Sequence, residues 1–452
     1  MKIADLKNKK ILILGLGREG LATLRYLQRH LPGQKITVAD RSDETKEILA
    51  SFNNLETQLG EKYLANLDKF DVVIKTPGLN PRTKEIEMAK ENGVVFTSST
   101  NLFFSEKQGK VIGVSGTKGK STTSSLIYEV VKAGGFEVDL IGNIGKAALD
   151  FLENDNKNKL YVFEMSSYQL EDFQGLLDIA VLISFFPEHL DYHQNIENYF
   201  AAKTTLLRRV KERGVIIYNS NFEKINRFIE NIKEDLELKK IKEIPYAGKS
   251  KYIVSKGNIV IDGFNKIGLT DILLLGEHNL ENMLAAFLVG KELGIDEEII
   301  WPVMRRFQGL EHRLEYVGRF KEIDFYNDSI STTPESAMAA LKAIGKNRVG
   351  CMIVGGLDRG YEFKELAKEI DKMGVESLIL FPETGEKIAA AIENELIIKI
   401  PVDSMQGAIE AVYKTCKPGK VCLLSCASPS YNLFINFEDR GRQFKEYVKK
   451  LG

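Results

Sequence analysis

The stretch Val111–Ser124, VIGVSGTKGKSTTS, constrains the fold of this chain more than any other. It begins with a short apolar run typical of a buried strand, continues through a glycine-rich segment, and ends in an apolar-periodic run typical of a helix. A strand, a glycine turn and a helix N-terminus form an anion site, because backbone N–H groups and the helix dipole both face the turn. The stretch therefore predicts an α/β fold with a phosphate loop, in which Lys120 reaches phosphate and the Ser121 hydroxyl contacts Mg²⁺.

The loop departs from the strict phosphate-loop pattern, which places a glycine five residues before Gly119, where this chain has Val114. A glycine-rich turn followed by a chance Gly-Lys-Ser is the alternative interpretation. The strand before the loop and the helix after it favour ATP binding.

Composition excludes several classes of protein. The chain has 452 residues, 44% apolar and 28% charged, which suffices for several domains. Its 62 basic and 63 acidic residues nearly balance, so no nucleic-acid partner is expected. The polar start predicts no signal peptide and no apolar run reaches the length of a membrane span, so we expect a cytoplasmic protein with no membrane partner. The cysteines, Cys351, Cys416, Cys422 and Cys426, lack zinc-type spacing and are expected to be reduced.

Residues 9 to 42 have the pattern of a βαβ unit. A strand leads into Gly15, Gly17 and Gly20, a helix follows, and a second strand ends at Asp40, 20 residues after Gly20, where a Rossmann unit carries its ribose-binding acid. The pattern predicts a nucleotide site, and a tight turn without a ligand is the alternative. Two further segments, Asp71–Asn80 and Val94–Phe104, are each predicted to be strands that end in small polar residues.

The middle of the chain places polar residues after two predicted strands. Glu164 ends one strand, and His189 lies in a turn after the next. A predicted helix then carries an inward apolar stripe of Ile196, Tyr199, Phe200, Leu207 and Val210, and Lys203 falls on that stripe. A lysine on a buried face is costly unless it is paired or modified, whereas a lysine at the edge of the stripe would extend to solvent. The pattern leaves both possibilities open.

Two asparagines, Asn279 and Asn282, lie three residues apart on one face of another predicted helix. Asparagine is disfavoured inside helices, which suggests a ligand contact, and helix capping by Asn279 is the alternative. Beyond residue 310 the strand and helix pattern predicts a third α/β structure. We place domain boundaries to give residues 1–107, 108–310 and 311–452.

Short motifs along the whole chain resemble the Mur ligases, in particular their glutamate-adding branch. The motifs are GTKGKST, GNIG, FEMSSYQLE, FPEHLDYH, the AAK ending at Lys203, GEHNLENMLAA, GLEHRLE, NDS and GGLDRG. The resemblance implies three domains: a Rossmann-like N-terminal domain that binds a UDP-linked substrate, a central phosphate-loop ATPase domain, and a Rossmann-like C-terminal domain.

The resemblance also implies roles for individual residues. The implied catalytic and metal-binding residues are Ser121, Glu164, His189 and a carbamylated Lys203, with Lys120 on phosphate. ATP contacts would be Gly116, Thr117, Lys118, Gly119, Lys120, Ser121, Thr122, Asn279, Asn282, Arg313 and Asp328. Contacts to the UDP-linked substrate would be Leu16, Asp40, Arg41, Thr76, Pro77, Gly78, Asn143 and Ser166. Glutamate would contact Thr332, Arg359, Ser428 and Phe437.

The implied reaction is ATP-dependent ligation of glutamate to UDP-N-acetylmuramoyl-L-alanine through an acyl phosphate, with two Mg²⁺ ions, by a monomer that serves peptidoglycan synthesis. Ile330 replaces a lysine and Lys118 replaces an asparagine of the commonest D-glutamate ligases, so addition of L-glutamate is the alternative. Rival interpretations are a nicotinamide-dependent oxidoreductase, a folylpolyglutamate synthase and a binding protein derived from an inactive ligase.

Overall fold

The structure of the protein, a computed structural model, describes residues 1–43, 45–274 and 276–452. The described residues form two compact units, one comprising Met1–Gly268 with His278–Met304 and the other Leu269–Glu277 with Arg305–Gly452. The first unit contains two parallel sheets and the second contains one mainly parallel sheet, which confirms the α/β prediction. The division into domains at residues 107/108 and 310/311 stays a prediction.

The first sheet follows the predicted βαβ pattern. Its strands are β1 Ile11–Leu14, β2 Ile36–Asp40, β3 Leu55–Leu59, β4 Val72–Lys75 and β5 Val95–Thr97, and its helices are α1 Arg18–His30, α2 Thr45–Leu49, α3 Lys84–Glu91 and α4 Ser99–Glu106. All neighbours pair in parallel in the order β3-β2-β1-β4-β5. The predicted strand over Val94–Phe104 is wrong beyond Thr97, because the Ser98 hydroxyl accepts a hydrogen bond from the Asn101 amide and starts a helix.

The second sheet contains the phosphate-loop strand at its centre. Its strands are β6 Lys110–Ser115, β7 Val138–Gly142, β8 Leu160–Glu164, β9 Leu177–Leu182, β10 Val210–Asn219 and β11 Lys242–Tyr246. They pair in parallel in the order β11-β10-β9-β6-β8-β7. The associated helices are α5 Lys120–Ala133, α6 Ser167–Leu170, α7 Leu190–His193, α8 Ile196–Arg208, α9 Glu223–Asn231, α10 Lys233–Leu238, α11 His278–Glu292 and α12 Glu297–Arg306. Val210, predicted on the stripe of α8, instead begins β10.

A small antiparallel sheet was not predicted from the sequence. It consists of β12 Tyr252–Ser255, β13 Asn258–Ile261 and β14 Phe264–Gly268. Lys256-Gly257 and Asp262-Gly263 connect the strands with positive φ at both positions of each turn. A two-residue turn ending in glycine is a strong hairpin signal, so this sheet was recognisable from the sequence.

The second unit contains a six-stranded sheet in the order β15-β16-β20-β17-β18-β19, antiparallel only between β15 and β16 among its described pairs. The strands are β15 Glu315–Phe320, β16 Ile323–Asn327, β17 Val349–Gly356, β18 Ser377–Glu383, β19 Ile398–Pro401 and β20 Val421–Leu424. The helices are α13 Pro334–Ile344, α14 Lys364–Met373, α15 Thr384–Ala391, α16 Met405–Thr415 and α17 Phe437–Leu451. All four cysteines are buried and form no disulfide in this structure.

One hydrophobic core joins the two sheets of the first unit. Phe103 of α4 packs edge-on against Tyr161 and Phe163 of β8, with ring centroids 5.1 and 5.8 Å apart. Buried aromatic side chains contribute large apolar areas, so this contact fixes the first sheet on the second. Short 3-10 helices occur at Ile3–Leu6, Gly60–Lys62, Leu67–Lys69, Ala148–Asn154 and Leu269–Asp271. Within the described ranges, no helix is both long and apolar enough to cross a membrane.

Candidate active site

The candidate active site lies at the carboxyl ends of β6, β8 and β9. Since β6 pairs with both of the others in parallel, their carboxyl ends meet at one edge of the sheet. This arrangement brings together the phosphate loop after Ser115, Glu164 at the end of β8 and the segment that leads to His189 after β9. Open α/β sheets bind ligands at this kind of edge.

The phosphate loop is held by side chains from the neighbouring strand end and from α8. The Thr117 amide donates to the Ser184 carbonyl (3.1 Å), and the Lys118 amide donates to the Ser184 hydroxyl (3.0 Å). The Thr117 hydroxyl contacts the Tyr199 hydroxyl at 2.9 Å. Gly119 has a φ of +85° and precedes α5, so the loop turns sharply into the helix. The predicted strand, glycine turn and helix are therefore confirmed.

Asn279 and Asn282 of α11 lie beside the start of α5. Asn282 accepts a hydrogen bond from the Thr123 hydroxyl (3.1 Å) and donates to the Asn279 side chain (2.9 Å). A Cβ at Gly119 would approach the Asn282 Oδ1 to 2.7 Å, so the loop needs glycine there. The structure thus brings the predicted asparagines to the phosphate loop, while their contact with ATP stays a prediction.

Lys203 is buried, with 2% of its surface exposed. Its Nζ donates to the Gly116 carbonyl at 2.6 Å and lies 3.4 Å from the Ser115 hydroxyl. Burial lowers the pKa of Lys203 well below its ordinary value, and the nearby Lys120 cation adds to the effect, whereas Glu188 and Glu164 oppose it. The alternative in which Lys203 extends to solvent is therefore wrong: the amine lies under the phosphate loop and favours its neutral form.

Glu164 is fully buried at the end of β8. Its Oε1 accepts a hydrogen bond from the Asn143 side chain at 2.9 Å. Its Oε2 is buried and has no hydrogen-bond partner in the described chain. A buried carboxylate oxygen without a partner is costly unless a cation or donor satisfies it, so this atom fits a metal ligand.

His189 lies at the edge of the same region, with a left-handed backbone (φ 55°) and a side chain 41% exposed. Its Nε2 is 3.6 Å from a Glu188 carboxylate oxygen, and its ring centroid lies 5.1 Å from that of Tyr168. Three or more His, Cys, Asp or Glu side chains do not converge to hold a metal anywhere in residues 1–43, 45–274 and 276–452.

The glycine turn of the first sheet is closed by Asp40. The Asp40 carboxylate accepts hydrogen bonds from the amides of Leu16 (2.5 Å) and Ser42 (2.8 Å). Both oxygens therefore stabilise the turn, while the contact of Asp40 with a ligand stays a prediction. Gly17 and Gly78 face open space, so a ligand can approach the protein backbone at these two positions.

The other predicted contacts of the first unit surround this turn. The Thr76 hydroxyl donates to the Leu14 carbonyl (3.2 Å), and the Pro77 carbonyl accepts from the Tyr192 hydroxyl (3.1 Å). The Leu16 side chain is buried and Arg41 is exposed. Ser166 forms a capping box with Gln169 at the start of α6. Its capping role was not predicted.

In the second unit, Asp328 is buried at the end of β16. Its carboxylate accepts from the Leu314 amide (3.1 Å) and the Ser425 hydroxyl (2.8 Å), next to the exposed Arg313. Burial raises the pKa of Asp328 to about 6, although these hydrogen bonds oppose the shift. The two residues assigned to ATP here are therefore neighbours in space.

The residues assigned to glutamate differ in their surroundings. Arg359 is exposed in the loop after β17, and Thr332 is partly exposed. Ser428 is fully buried and accepts from the Thr384 hydroxyl at 2.7 Å, which agrees with a packing role. The hydroxyl of Ser430, two residues later, is buried without a hydrogen-bond partner among the described residues. Ser430 was not singled out from the sequence. The Phe437 ring packs against His312.

The fold and the site define an α/β protein of the phosphate-loop class with a desolvated lysine beside the loop. Family models match three parts of the chain: "Mur ligase MurD-like, N-terminal domain" at residues 9–98, "Mur ligase middle domain" at 114–290 and "Mur ligase, glutamate ligase domain" at 312–427. A UDP-N-acetylmuramoylalanine–D-glutamate ligase of Clostridium novyi is 32% identical over 459 residues, covering 99% of this chain and 98% of the relative. Its counterpart from Geobacillus kaustophilus is 34% identical over 453 residues, with 98% of each covered. This chain belongs to the Mur ligase family.

Solved structures support the same fold. A UDP-N-acetylmuramate–alanine ligase of Thermotoga maritima superimposes with a TM-score of 0.58 at 17% identity, over 98% of this chain and all of that one. A UDP-N-acetylmuramoyl-L-alanyl-D-glutamate–2,6-diaminopimelate ligase gives a TM-score of 0.59 at 17% identity, over 99% and 94%. The resemblance inferred from the motifs is confirmed.

The close packing at Gly142 gives a testable prediction. Gly142 has a φ of +103°, and a Cβ there would lie 2.3 Å from the Glu164 carbonyl, a backbone atom that cannot move aside. We expect Gly142→Ala to lower the free energy of unfolding by about 2 kcal/mol more than Gly294→Ala, where φ is +77° but the space is open. Calorimetric unfolding of both variants measures the difference. Equal losses would show that backbone conformation alone matters.

Proposed function

We propose that this protein ligates D-glutamate to UDP-N-acetylmuramoyl-L-alanine at the expense of ATP, in the synthesis of peptidoglycan precursors. The observation that carries the proposal is the phosphate loop with Lys203 and Glu164 at the same sheet edge. Relatives named as D-glutamate ligases, about a third identical over nearly the whole chain, support it. The family supplies ATP and Mg²⁺ as the expected cofactors.

The chemistry needs activation, because a carboxylate is a poor acyl donor. Phosphoryl transfer from ATP to the substrate carboxylate gives an acyl phosphate, which the glutamate amine attacks with loss of phosphate. Lys120 lies at the start of α5, where a phosphate would meet the helix N-terminus. We assign to Lys120 the neutralisation of charge on the transferred group.

Glu164, Ser121 and His189 are the residues that would hold Mg²⁺, together with a modified Lys203. The partnerless buried Oε2 of Glu164 supports this assignment. Ions held by these residues would supply positive charge to the transferred phosphoryl group. A carbamate on Lys203 would add a further oxygen ligand beside the phosphate loop, where its amine contacts the Gly116 carbonyl.

A neutral amine is the form that adds to carbon dioxide, and burial, which lowers the pKa of Lys203 well below its ordinary value, favours that form. Addition forms an N–C bond, releases one proton and leaves an anionic carbamate. The amine lies 2.6 Å from the Gly116 carbonyl of the phosphate loop, so the new carboxylate would form beside the loop.

The choice of D-glutamate rests on the relatives' names, while Ile330 and Lys118 are departures from the commonest D-glutamate ligases. Arg359 is assigned to a carboxylate of the incoming glutamate, because it is exposed in a glycine-flanked loop after β17 and can donate two hydrogen bonds. The neutral amine must stay free to attack.

Phosphate release tests the proposed function. With ATP, Mg²⁺ and UDP-N-acetylmuramoyl-L-alanine, D-glutamate should release phosphate at least about tenfold faster than L-glutamate, a difference of one order of magnitude in transition-state binding. A folded Lys120→Ala variant should lose about 100-fold or more of this rate. A preference for L-glutamate would reverse the stereochemistry, and no release with either isomer would reject the function.

Carbamylation of Lys203 is tested by ¹³C NMR after incubation with ¹³C-bicarbonate. We expect a carbamate resonance in the wild type and in Lys224→Ala, since Lys224 is an exposed lysine of α9 that faces the Phe200 ring of α8, the helix that carries Lys203. Lys203→Ala should lack the signal and the activity, and formate or acetate should restore part of the rate. An unmodified Lys203 in the active Mg²⁺–nucleotide complex would contradict this.

The assignment of Arg359 is tested by steady-state kinetics. Arg359→Ala should raise the KM for glutamate about tenfold or more with little change in the KM for ATP, because a charge-assisted hydrogen bond to a carboxylate is lost. Arg442→Ala, whose side chain is 57% exposed in the same unit, is the matched control. If glutamate dependence is the same in both variants, Arg359 does not contact the amino acid.

A further inference from the structure

Arg18 follows the glycine turn of the first sheet, and its side chain forms hydrogen bonds with the second sheet. It is the first residue of α1, in the sequence Gly15-Leu16-Gly17-Arg18-Glu19-Gly20, and it is exposed. Its guanidinium reaches from the first sheet to the second and donates to two carbonyls, one at the last residue of β7 and one three residues later. Nη2 donates to Gly142 (2.8 Å) and Nη1 donates to Gly145 (2.7 Å).

The two carbonyls delimit a four-residue loop, Gly142–Gly145, which we call the GNIG loop. Both glycines have positive φ, and Ile141 and Lys146 pair across the base of the loop as an isolated bridge. A rigid planar guanidinium that donates to both ends fixes the spacing between them. A single flexible ammonium cannot do this in the same way.

The GNIG loop in turn holds the candidate metal carboxylate. The Asn143 amide donates to the Glu164 carbonyl (2.9 Å), and the Asn143 side chain donates to the Glu164 carboxylate (2.9 Å). Asn143 therefore determines which Glu164 oxygen stays without a partner. Outer partners of this kind orient metal ligands and tune their affinity.

The next residue, Glu19, makes a second contact with the same region. Its Oε1 accepts from the Gln169 side chain at 2.7 Å, and Gln169 belongs to the capping box with Ser166 that starts α6. Glu164 lies between the two contacted segments, since it ends β8, whose neighbour β7 leads into the GNIG loop and whose own chain continues to Ser166. The first two residues of α1 thus contact the segments on both sides of Glu164.

We propose that Arg18 is a positioning residue that holds the GNIG loop, and through Asn143 orients Glu164 for its cation. The inference rests on the proposed function, because it adds a first-sheet residue to the geometry of that same site. It also links the glycine turn, where the UDP-linked substrate is assigned, to the metal carboxylate. The alternative is that Arg18 binds the substrate diphosphate directly.

The matched control is Arg25 on the same helix, which pairs with Asp150 across the same two sheets at 3.2 Å but does not contact the GNIG loop. Three variants are compared with the wild type: Arg18→Ala, Arg18→Lys and Arg25→Ala. The probes are Mn²⁺ with a non-hydrolysable ATP analogue, followed by electron paramagnetic resonance, amide hydrogen exchange over residues 141–146 without any ligand, and steady-state kinetics.

We expect Arg18→Ala to weaken Mn²⁺ binding about tenfold and to lower kcat by a similar factor. Exchange over the GNIG loop should be faster, while the KM for the UDP-linked substrate should change less than about twofold. Arg18→Lys should recover part of each loss, because one donor is retained. Arg25→Ala should match the wild type in all three measurements.

Two results would overturn the proposal. A raised KM for the UDP-linked substrate, with unchanged Mn²⁺ affinity and unchanged loop exchange, would make Arg18 a substrate ligand. Equal effects of Arg18→Ala and Arg25→Ala would show that both arginines only hold the two sheets together. Failure of the proposed function is distinguishable from failure of this inference. If the proposed function is wrong, the wild type will show no ligation, while the difference in hydrogen exchange between Arg18→Ala and the wild type can still be measured.

Discussion

Desolvation of the Lys203 amine is the constraint on which the rest of the candidate site depends. A charged ammonium with 2% exposure would be costly, and burial outweighs the opposing influence of Glu188 and Glu164 on the pKa of this amine. The amine instead donates to the Gly116 carbonyl, which belongs to the phosphate loop. The same burial lowers the pKa of the amine and so favours its neutral form, beside the loop to which the phosphate of ATP is assigned.

The sheet order explains why these groups meet. Strand β6 lies between β8 and β9, so the phosphate loop, Glu164 and the segment before His189 leave the sheet at one edge although they are far apart in sequence. Helix α8 then closes the site from one side: Tyr199 contacts the loop through Thr117, and Lys203 contacts it through Gly116. The candidate site is thus a consequence of parallel pairing and of one helix packed across the strand ends.

The first sheet takes part in this geometry because it shares a core with the second. Phe103 packs on Tyr161 and Phe163, and buried aromatic contacts of this kind hold the glycine turn at a constant position relative to β7 and β8. Polar contacts such as those of Arg18 and Glu19 then act between parts whose distance is already fixed. Hydrogen bonds between exposed groups contribute little to stability but specify geometry, which is what a metal carboxylate requires.

The sequence by itself determined the local elements and the family. The strand, glycine turn and helix around Lys120, the capping of helices and the hairpin turns depend on neighbours along the chain, and the sequence pattern contains them even where we missed them, as at Asp262-Gly263 or at the Ser98 cap. Only the tertiary structure decided whether Lys203 was buried, that Ser428 is packed against Thr384, and that Arg18 reaches the GNIG loop. The physical reason is that burial and long-range hydrogen bonds depend on segments far apart in sequence, whose approach is set by strand order and core packing and not by local periodicity.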